Sequence, residues 1–285
     1  MDGPGYPRGM SNVPDVGLNS GATIPQLGFG VFQIDPQDTA STVRTAFEVG
    51  YRHIDTAQMY GNEAEVGEAV AGSGLSRDQL FITTKCNNAN HGYDDAQRAL
   101  DESLSKLGLD YVDLYLIHWP LPGKDLYVQT WKGFERAAKD GKARSIGVSN
   151  FKTHHLDRLA QETDTVPAVN QIELHPHLQQ PEMRSYDQGH GIATEAWSPI
   201  GQGKGVIDDD RIVAIAKAHD KTPAQVTLRW HIQLGNIIFP KSVTDYRIRE
   251  NFDIFDFELT DEEMSAIGEL DRGERLGPDP DQFDR

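Results

Sequence analysis

The chain has 285 residues, 38% of them hydrophobic, a formal net charge of −17 and one cysteine. That length suits two average domains or one large barrel, while the lone Cys86 excludes an internal disulfide and a cysteine-rich metal site. The negative charge argues against nucleic acid or an anionic membrane as partner, no apolar run is long enough to span a bilayer, and no signal-peptide core opens the chain, so a soluble cytoplasmic protein is expected.

In chain order, residues 1–15, "MDGPGYPRGMSNVPD", hold almost no apolar content and read as a flexible tail, with Met10 an alternative start. With no Gly, Ser or Pro-rich linker, residues 16–285 read as one domain. "VGLNSGATIP" (16–25) is predicted to be a hairpin turning at Asn19–Gly21, placed to plug the bottom of a barrel. Eight short apolar runs follow at residues 26–30, 51–55, 80–85, 112–118, 144–149, 167–172, 192–197 and 237–241. Between them the period is helical, as at Val43, Ala46 and Phe47, at Ala96, Ala99, Leu100, Leu104 and Leu107, and at Ile212, Ile215 and Ala216. Ser76–Gln79, Thr222–Gln225 and Thr260–Glu263 read as capping boxes that open helices, the second with Pro223 at the first helical position. "LTDEEMSAIGEL" (259–270) adds a helix after the eighth strand, and the polar end "GERLGPDPDQFDR" reads as loose.

Strands alternating with helices imply a parallel sheet. Eight such units favour closure into a (β/α)₈ TIM barrel, with an open doubly wound sheet as the alternative.

In a barrel of this kind, reactive groups gather where the strands end. Asp55 ends the second apolar run, Lys85 the third and His118 the fourth, and Tyr60 follows in the loop "GYRHIDTAQMYGNE" just before a helix opening near Glu63. Singly, each has a bland reading: a turn carboxylate, an interface aromatic, a solvated lysine, a core histidine. Together on one rim they make an acid site. A phenol titrates near 10, and an ammonium about 4 Å away stabilises its phenolate by roughly 4 kcal/mol at an effective dielectric of about 20. Lys85 is therefore expected to lower the Tyr60 pKa, with Asp55 holding Lys85 and His118 orienting a substrate oxygen. Such a phenol suits carbonyl reduction, and no metal ion is called for.

None of these groups supplies hydride, so a cofactor is required. "GFGVFQID" (28–35) fails the dinucleotide-binding glycine spacing. Barrels bind phosphate around the last strands instead, where "FPKSVTDYRIREN" (239–251) clusters Lys241, Arg247 and Arg249 at a helix start near Asp245.

The segments "GYRHIDTAQMYGNEAEVG", "LYLIHWP", "RSIGVSNF", "AVNQIELHP" and "FPKSVTDYRIREN" resemble those of the aldo-keto reductases, over residues 16–272. Residues 221–243 and 251–260 look most like the prokaryotic 2,5-diketogluconate reductase branch. The resemblance implies an NADPH-dependent monomer that reduces aldehydes or ketones, keto-sugar acids or small dicarbonyls among them. It makes Tyr60 the general acid, Lys85 and Asp55 its tuning pair, and His118 the orienting residue. Ser149, Asn150 and Gln171 would hold the nicotinamide carboxamide, and Trp197 would stack on the ring. Ser198 and Ile200 would line the pyrophosphate. Phe239, Lys241, Ser242, Val243, Arg247, Glu250 and Asn251 would clasp the adenosine end, with Lys241 and Arg247 favouring its 2′-phosphate.

Against the family pattern, Asn87 stands where a large aromatic is common, and the loop at 120–128 is short. Asn87, Trp119 and Phe283 are the expected substrate contacts, and Cys86 is read as a buried filler rather than a redox thiol. Two rival readings are a redox-sensing NADPH-binding protein with poor turnover and a barrel lyase using Lys85 as Schiff-base former.

Overall fold

The computed structural model describes residues 12–284; most of the expected N-terminal tail, Met10 included, lies outside them. The predicted hairpin forms first. Strands β1 (Asp15–Gly17) and β2 (Thr23–Pro25) pair antiparallel, with Val16 opposite Ile24. Leu18 and Ile24 pack with Phe81, Leu114, Leu116, Val169 and Ile237. Asn19 Nδ2 donates to the Pro167 carbonyl at 3.0 Å and the Ser20 and Ser145 hydroxyls meet at 2.7 Å, so the hairpin plugs the end of the barrel where the strands begin.

Each apolar run yields one strand of a parallel sheet, three of them reaching one residue beyond the run: β3 (Phe29–Gly30), β4 (His53–Asp55), β5 (Phe81–Cys86), β6 (Val112–Ile117), β7 (Ala143–Ser149), β8 (Val169–Glu173), β9 (Ala193–Trp197) and β10 (Ile237–Ile238). They pair in sequence order, and the ends join: Leu27 bridges Ile238, the Gly28 N–H donates to the Ile238 carbonyl at 2.7 Å, and the Ile238 N–H donates to the Gln26 carbonyl at 2.9 Å. The seam needs glycine, because a Cβ on Gly30 would lie 2.7 Å from the Phe239 carbonyl oxygen. The barrel is closed, not an open sheet.

The helices are α1 (Pro36–Val49), α2 (Glu63–Ala71), α3 (Tyr93–Leu107), α4 (Tyr127–Lys139), α5 (Thr153–Glu162), α6 (Pro181–Gly189), α7 (Asp210–Ala218), α8 (Pro223–Gln233), α9 (Asp245–Phe252) and α10 (Asp261–Gly268). The apolar stripe of α3 (Ala96, Ala99, Leu100, Leu104, Leu107) is buried in the layer between helices and sheet, as its spacing requires. Thr222 and Thr260 cap α8 and α10, each accepting from the N–H three residues on. The Ser76 box departs from expectation. Its reciprocal bond to Gln79 forms at 2.9 Å, yet it opens only one 3₁₀ turn, because the β-rich run at 81–86 is recruited into the sheet straight afterwards. Among the described residues no helix is long and apolar enough to cross a membrane. Because β3–β10 all run one way, their C-terminal ends share one rim.

Candidate active site

That rim gathers the four expected groups. Asp55 is the last residue of β4, Lys85 lies next to the end of β5, and His118 follows β6 on the inward face of Leu114 and Leu116. Tyr60 closes a 3₁₀ turn, Gln58–Tyr60, between β4 and α2. Lys85 is fully buried, and its Nζ donates to Asp55 Oδ1 at 2.6 Å, to the Thr56 carbonyl at 2.9 Å and to Tyr60 Oη at 3.3 Å. Three acceptors use all three ammonium protons. The rings of Tyr60 and His118 meet edge-on, 5.8 Å between centroids.

Burial alone would lower the Lys85 ammonium, but Asp55 and Tyr60 beside it hold its pKa above the ordinary lysine value. The expected lowering of Tyr60 is not found. Burial raises the phenol by more than Lys85 lowers it, and Asp55 adds to the rise, so it stays protonated well into the alkaline range. His118 is pushed far below the ordinary imidazole value, by burial first and then by Lys85 and His91, and is neutral. Cys86 is buried, with its thiol pushed up to about 12, which fits a filler and not a reactive thiolate.

The residues expected around the nicotinamide form one hydrogen-bonded chain continuous with the acid site. Gln171 Nε2 donates to Asp55 Oδ2 at 2.9 Å. The Ser149 hydroxyl and the Asn150 N–H both donate to the Gln171 carbonyl at 2.9 Å. Asn150 Nδ2 donates to the His118 carbonyl at 2.9 Å and to Ser149 Oγ at 3.1 Å, and Trp197 Nε1 donates to Asn150 Oδ1 at 2.8 Å. Asn150 and Ser198, just past β7 and β9, hold φ of 64° and 52°, left-handed values that cost non-glycine residues energy and gather at functional sites.

The adenosine-end candidates lie apart, along the segment that runs from β10 into α9. Phe239, Ser242 and Asn251 are buried; Lys241, Val243 and Arg247 are exposed, and neither Lys241 nor Arg247 has a carboxylate partner among the described residues. Glu250 accepts from Thr222 Oγ1 at 2.9 Å, and Ile200 is half-buried.

The C-terminal segment, expected to be loose, is fastened across the rim. Glu173 at the end of β8 accepts from the Leu276 N–H at 2.5 Å and the Gly277 N–H at 3.0 Å. Gly277 lies so close to Trp197 that a Cβ there would be 2.6 Å from the indole. Lys152 Nζ donates to Asp279 at 2.5 Å and Asp281 at 2.7 Å, and the Gly123 N–H donates to Asp284 at 2.8 Å. His155 Nδ1 accepts from the Lys152 N–H, so the neutral ring carries its proton on Nε2, 3.5 Å from Asp281. Phe283 packs on Trp119 with 4.5 Å between ring centroids, which brings together two of the expected substrate contacts. The third, Asn87, spends its side-chain oxygen on the Ala89 N–H, capping a 3₁₀ turn. Sequence reasoning missed Glu173 and Glu195; the signal was available, since Glu195 interrupts the expected strand at 192–197 and Glu173 directly follows the one at 167–172.

The aldo/keto reductase family model matches residues 26–272. The chain belongs to the aldo/keto reductase family. Among its relatives in that family, an aldo-keto reductase of Mycolicibacterium smegmatis is 54% identical over 270 residues, 95% of this chain and 98% of the relative. The methylglyoxal reductase DkgA of Yersinia pestis is 52% identical over 276 residues, covering 96% and 99%. Among solved structures, a mutant of Gox0644 in complex with NADPH superposes with a TM-score of 0.92 at 44% identity, covering 96% of this chain and 99% of that one.

Proposed function

We propose that this aldo-keto reductase uses NADPH to reduce small aldehydes and α-dicarbonyls, with keto-sugar acids within the same class, and that Tyr60 is its general acid. The observation that carries the reading is the contact of Lys85 Nζ with Tyr60 Oη at 3.3 Å, backed by Asp55 at 2.6 Å, beside a neutral His118. Relatives support the cofactor and the substrate class: one is a methylglyoxal reductase and one was crystallised with NADPH.

The residues fit that cofactor. Ser149, Asn150 and Gln171 offer an amide-recognising cluster beside Trp197, while exposed Lys241 and Arg247 and the N-terminal end of α9 offer cationic and N–H partners for phosphate. Ser198, Ile200, Phe239, Ser242, Val243, Glu250 and Asn251 would complete the cradle. Bound NADPH supplies hydride to the carbonyl carbon. Tyr60 Oη gives its proton to the carbonyl oxygen, and the Lys85 ammonium stabilises the phenolate left behind. Asp55 keeps Lys85 charged and in place. The neutral His118 ring orients the oxygen, and Trp119 and Phe283 wall the substrate side, with Asn87 at its edge.

The lyase reading needs a neutral amine at Lys85, whereas three acceptors and a raised pKa hold it as an ammonium. We take the enzyme to be a cytoplasmic monomer. The deciding experiment is NADPH oxidation against a panel of aldehydes and α-dicarbonyls, compared by kcat/KM. Tight NADPH binding without multiple turnovers on any member would leave the redox-sensing reading in its place.

A further inference from the structure

Glu195 lies in the middle of β9 with its side chain inside the barrel, fully buried. Its Oε2 accepts from Gln171 Nε2 at 2.7 Å, and its Oε1 has no hydrogen-bond partner among the described residues. The same Gln171 nitrogen donates to Asp55 Oδ2 at 2.9 Å. One amide therefore spends both N–H bonds on two carboxyl groups, and its Oε1 remains as the only acceptor of that side chain. The charged groups that face Glu195 are Asp55 on β4 and Lys85 on β5, with the Gln171 amide in register on β8 and Ile237 in register on β10. Lys85 is already committed to Asp55. A second carboxylate here would be buried beside a first, with one oxygen unsolvated and no cation of its own, an arrangement that favours the protonated form.

We propose that Glu195 is a positioning residue that works as a neutral acid: it shares the Gln171 amide with Asp55, fixes that amide with its oxygen free for a cofactor carboxamide, and keeps a second negative charge away from the Asp55–Lys85–Tyr60 group. The catalytic consequence rests on the reductase reading given above; the protonation state does not. Burial, with the Asp55 charge behind it, pushes the Glu195 carboxyl up to about 8. Ionisation puts a negative charge near Tyr60, which makes the phenol a poorer acid. Reduction therefore acquires an alkaline limb that belongs to Glu195 and lies below the limb of Tyr60 itself.

Three measurements test this. The first compares unfolding of the wild type and Glu195→Gln across pH. A carboxyl that is neutral when folded and ionised when unfolded loses stability as pH rises from about 4.3, the ordinary glutamate value. The advantage of E195Q should therefore grow with pH and level off above about 8. A pH-independent difference overturns the proposal. The second does not use E195Q, so that it survives a variant that fails to fold. Burial also pushes Asp187 up to about 7, so the infrared band of a protonated carboxyl is read in Asp187→Asn; it should be present at neutral pH and vanish as the sample is made alkaline, and its absence at neutral pH also overturns the proposal. The third is the pH profile of kcat for NADPH-linked reduction. The wild type should lose about fivefold through the limb, a size set by one unit charge at barrel distance, and E195Q should stay flat there. Identical profiles remove the positioning role. If no carbonyl compound is turned over at all, the reductase reading fails while the first two measurements still decide the state of Glu195.

Discussion

The two ends of the site are built in opposite ways. At the acid end, Asp55, Lys85, Gln171 and Glu195 are buried, the Lys85 ammonium and the Gln171 amide N–H groups meet acceptors within 3.3 Å, and folding itself sets the geometry. At the other end, Lys241 and Arg247 stand on the surface beside α9 with no carboxylate partner among the described residues. On the function proposed above, the groups that act on a reacting atom are held by the fold, which costs stability, while the groups that attract a charged ligand stay in water at little cost. Changes at the first end should therefore alter turnover and folding together, and changes at the second should alter cofactor affinity alone.

The largest effect is expected at Tyr60. Tyr60→Phe should lower kcat by about 10²–10⁴-fold while NADPH binding, read by fluorescence titration, stays close to wild type. An unchanged kcat would take the proton-donor role from Tyr60. Lys85→Met should cost about 3–5 kcal/mol of stability in a denaturant titration, because it leaves Asp55 buried without its cation; a loss of activity without a loss of stability would break the claim that the acid end is held by its ion pair.

Acid should expose the same asymmetry. His118 is depressed well below its ordinary value, and burial holds His231 at about 3. The unfolded chain protonates these histidines near pH 6.5 and the folded chain does not until much lower. Unfolding then takes up protons, and each ring removes up to about 1.4 kcal/mol per pH unit as the pH falls below that point. Glu195 acts in the opposite direction over the same range, so the check is the difference in chemical unfolding between the wild type and His231→Asn at a series of pH values; a pH-independent difference between pH 7 and 5 would contradict the neutral, buried ring.

At the outer end, Arg247→Ala should weaken NADPH binding by about 10–100-fold, the size of a charged hydrogen-bond contact, and leave NADH binding and the unfolding midpoint unchanged. Equal losses for both cofactors would sharpen the comparison by moving Arg247 away from the 2′-phosphate. The smallest effect is expected at the C-terminal fastening. Its Lys152 pairs with Asp279 and Asp281 are partly exposed, so Asp281→Asn should cost only about 0.2–1 kcal/mol. It should appear chiefly as faster hydrogen exchange of the Leu276 and Gly277 amides, with the difference from wild type shrinking at high salt as the pairs are screened.

Much of this was legible in the sequence, for a stated reason. Each apolar run yielded a strand because β-branched and aromatic residues there can be buried on both faces only in a covered parallel sheet. Thr222, Pro223 and Thr260 marked helix starts because a cap depends only on residues three apart. Asp55, Lys85 and His118 could be picked out as strand-end groups once the barrel was expected. Three features were not legible. The capping box at Ser76 met a competing strand. The charge-based expectation for Tyr60 omitted the burial that outweighs Lys85. The polar C-terminal segment, without an apolar pattern of its own, is held by Glu173 and Lys152, more than a hundred residues earlier in the chain.

The sequence by itself determined the order of strands and helices, their parallel direction, and which side chains stand at the strand ends, since these follow from periodicity, caps and chain direction; closure was settled by the seam of Leu27 and Gly28 with Ile238. Only the tertiary structure decided how those side chains are paired and charged: one Gln171 amide between Asp55 and Glu195, one Lys85 among three acceptors, and a tail fastened over Trp197. Pairing and protonation depend on distance and solvent exclusion, which belong to contacts between residues far apart in the chain and cannot be read from local pattern.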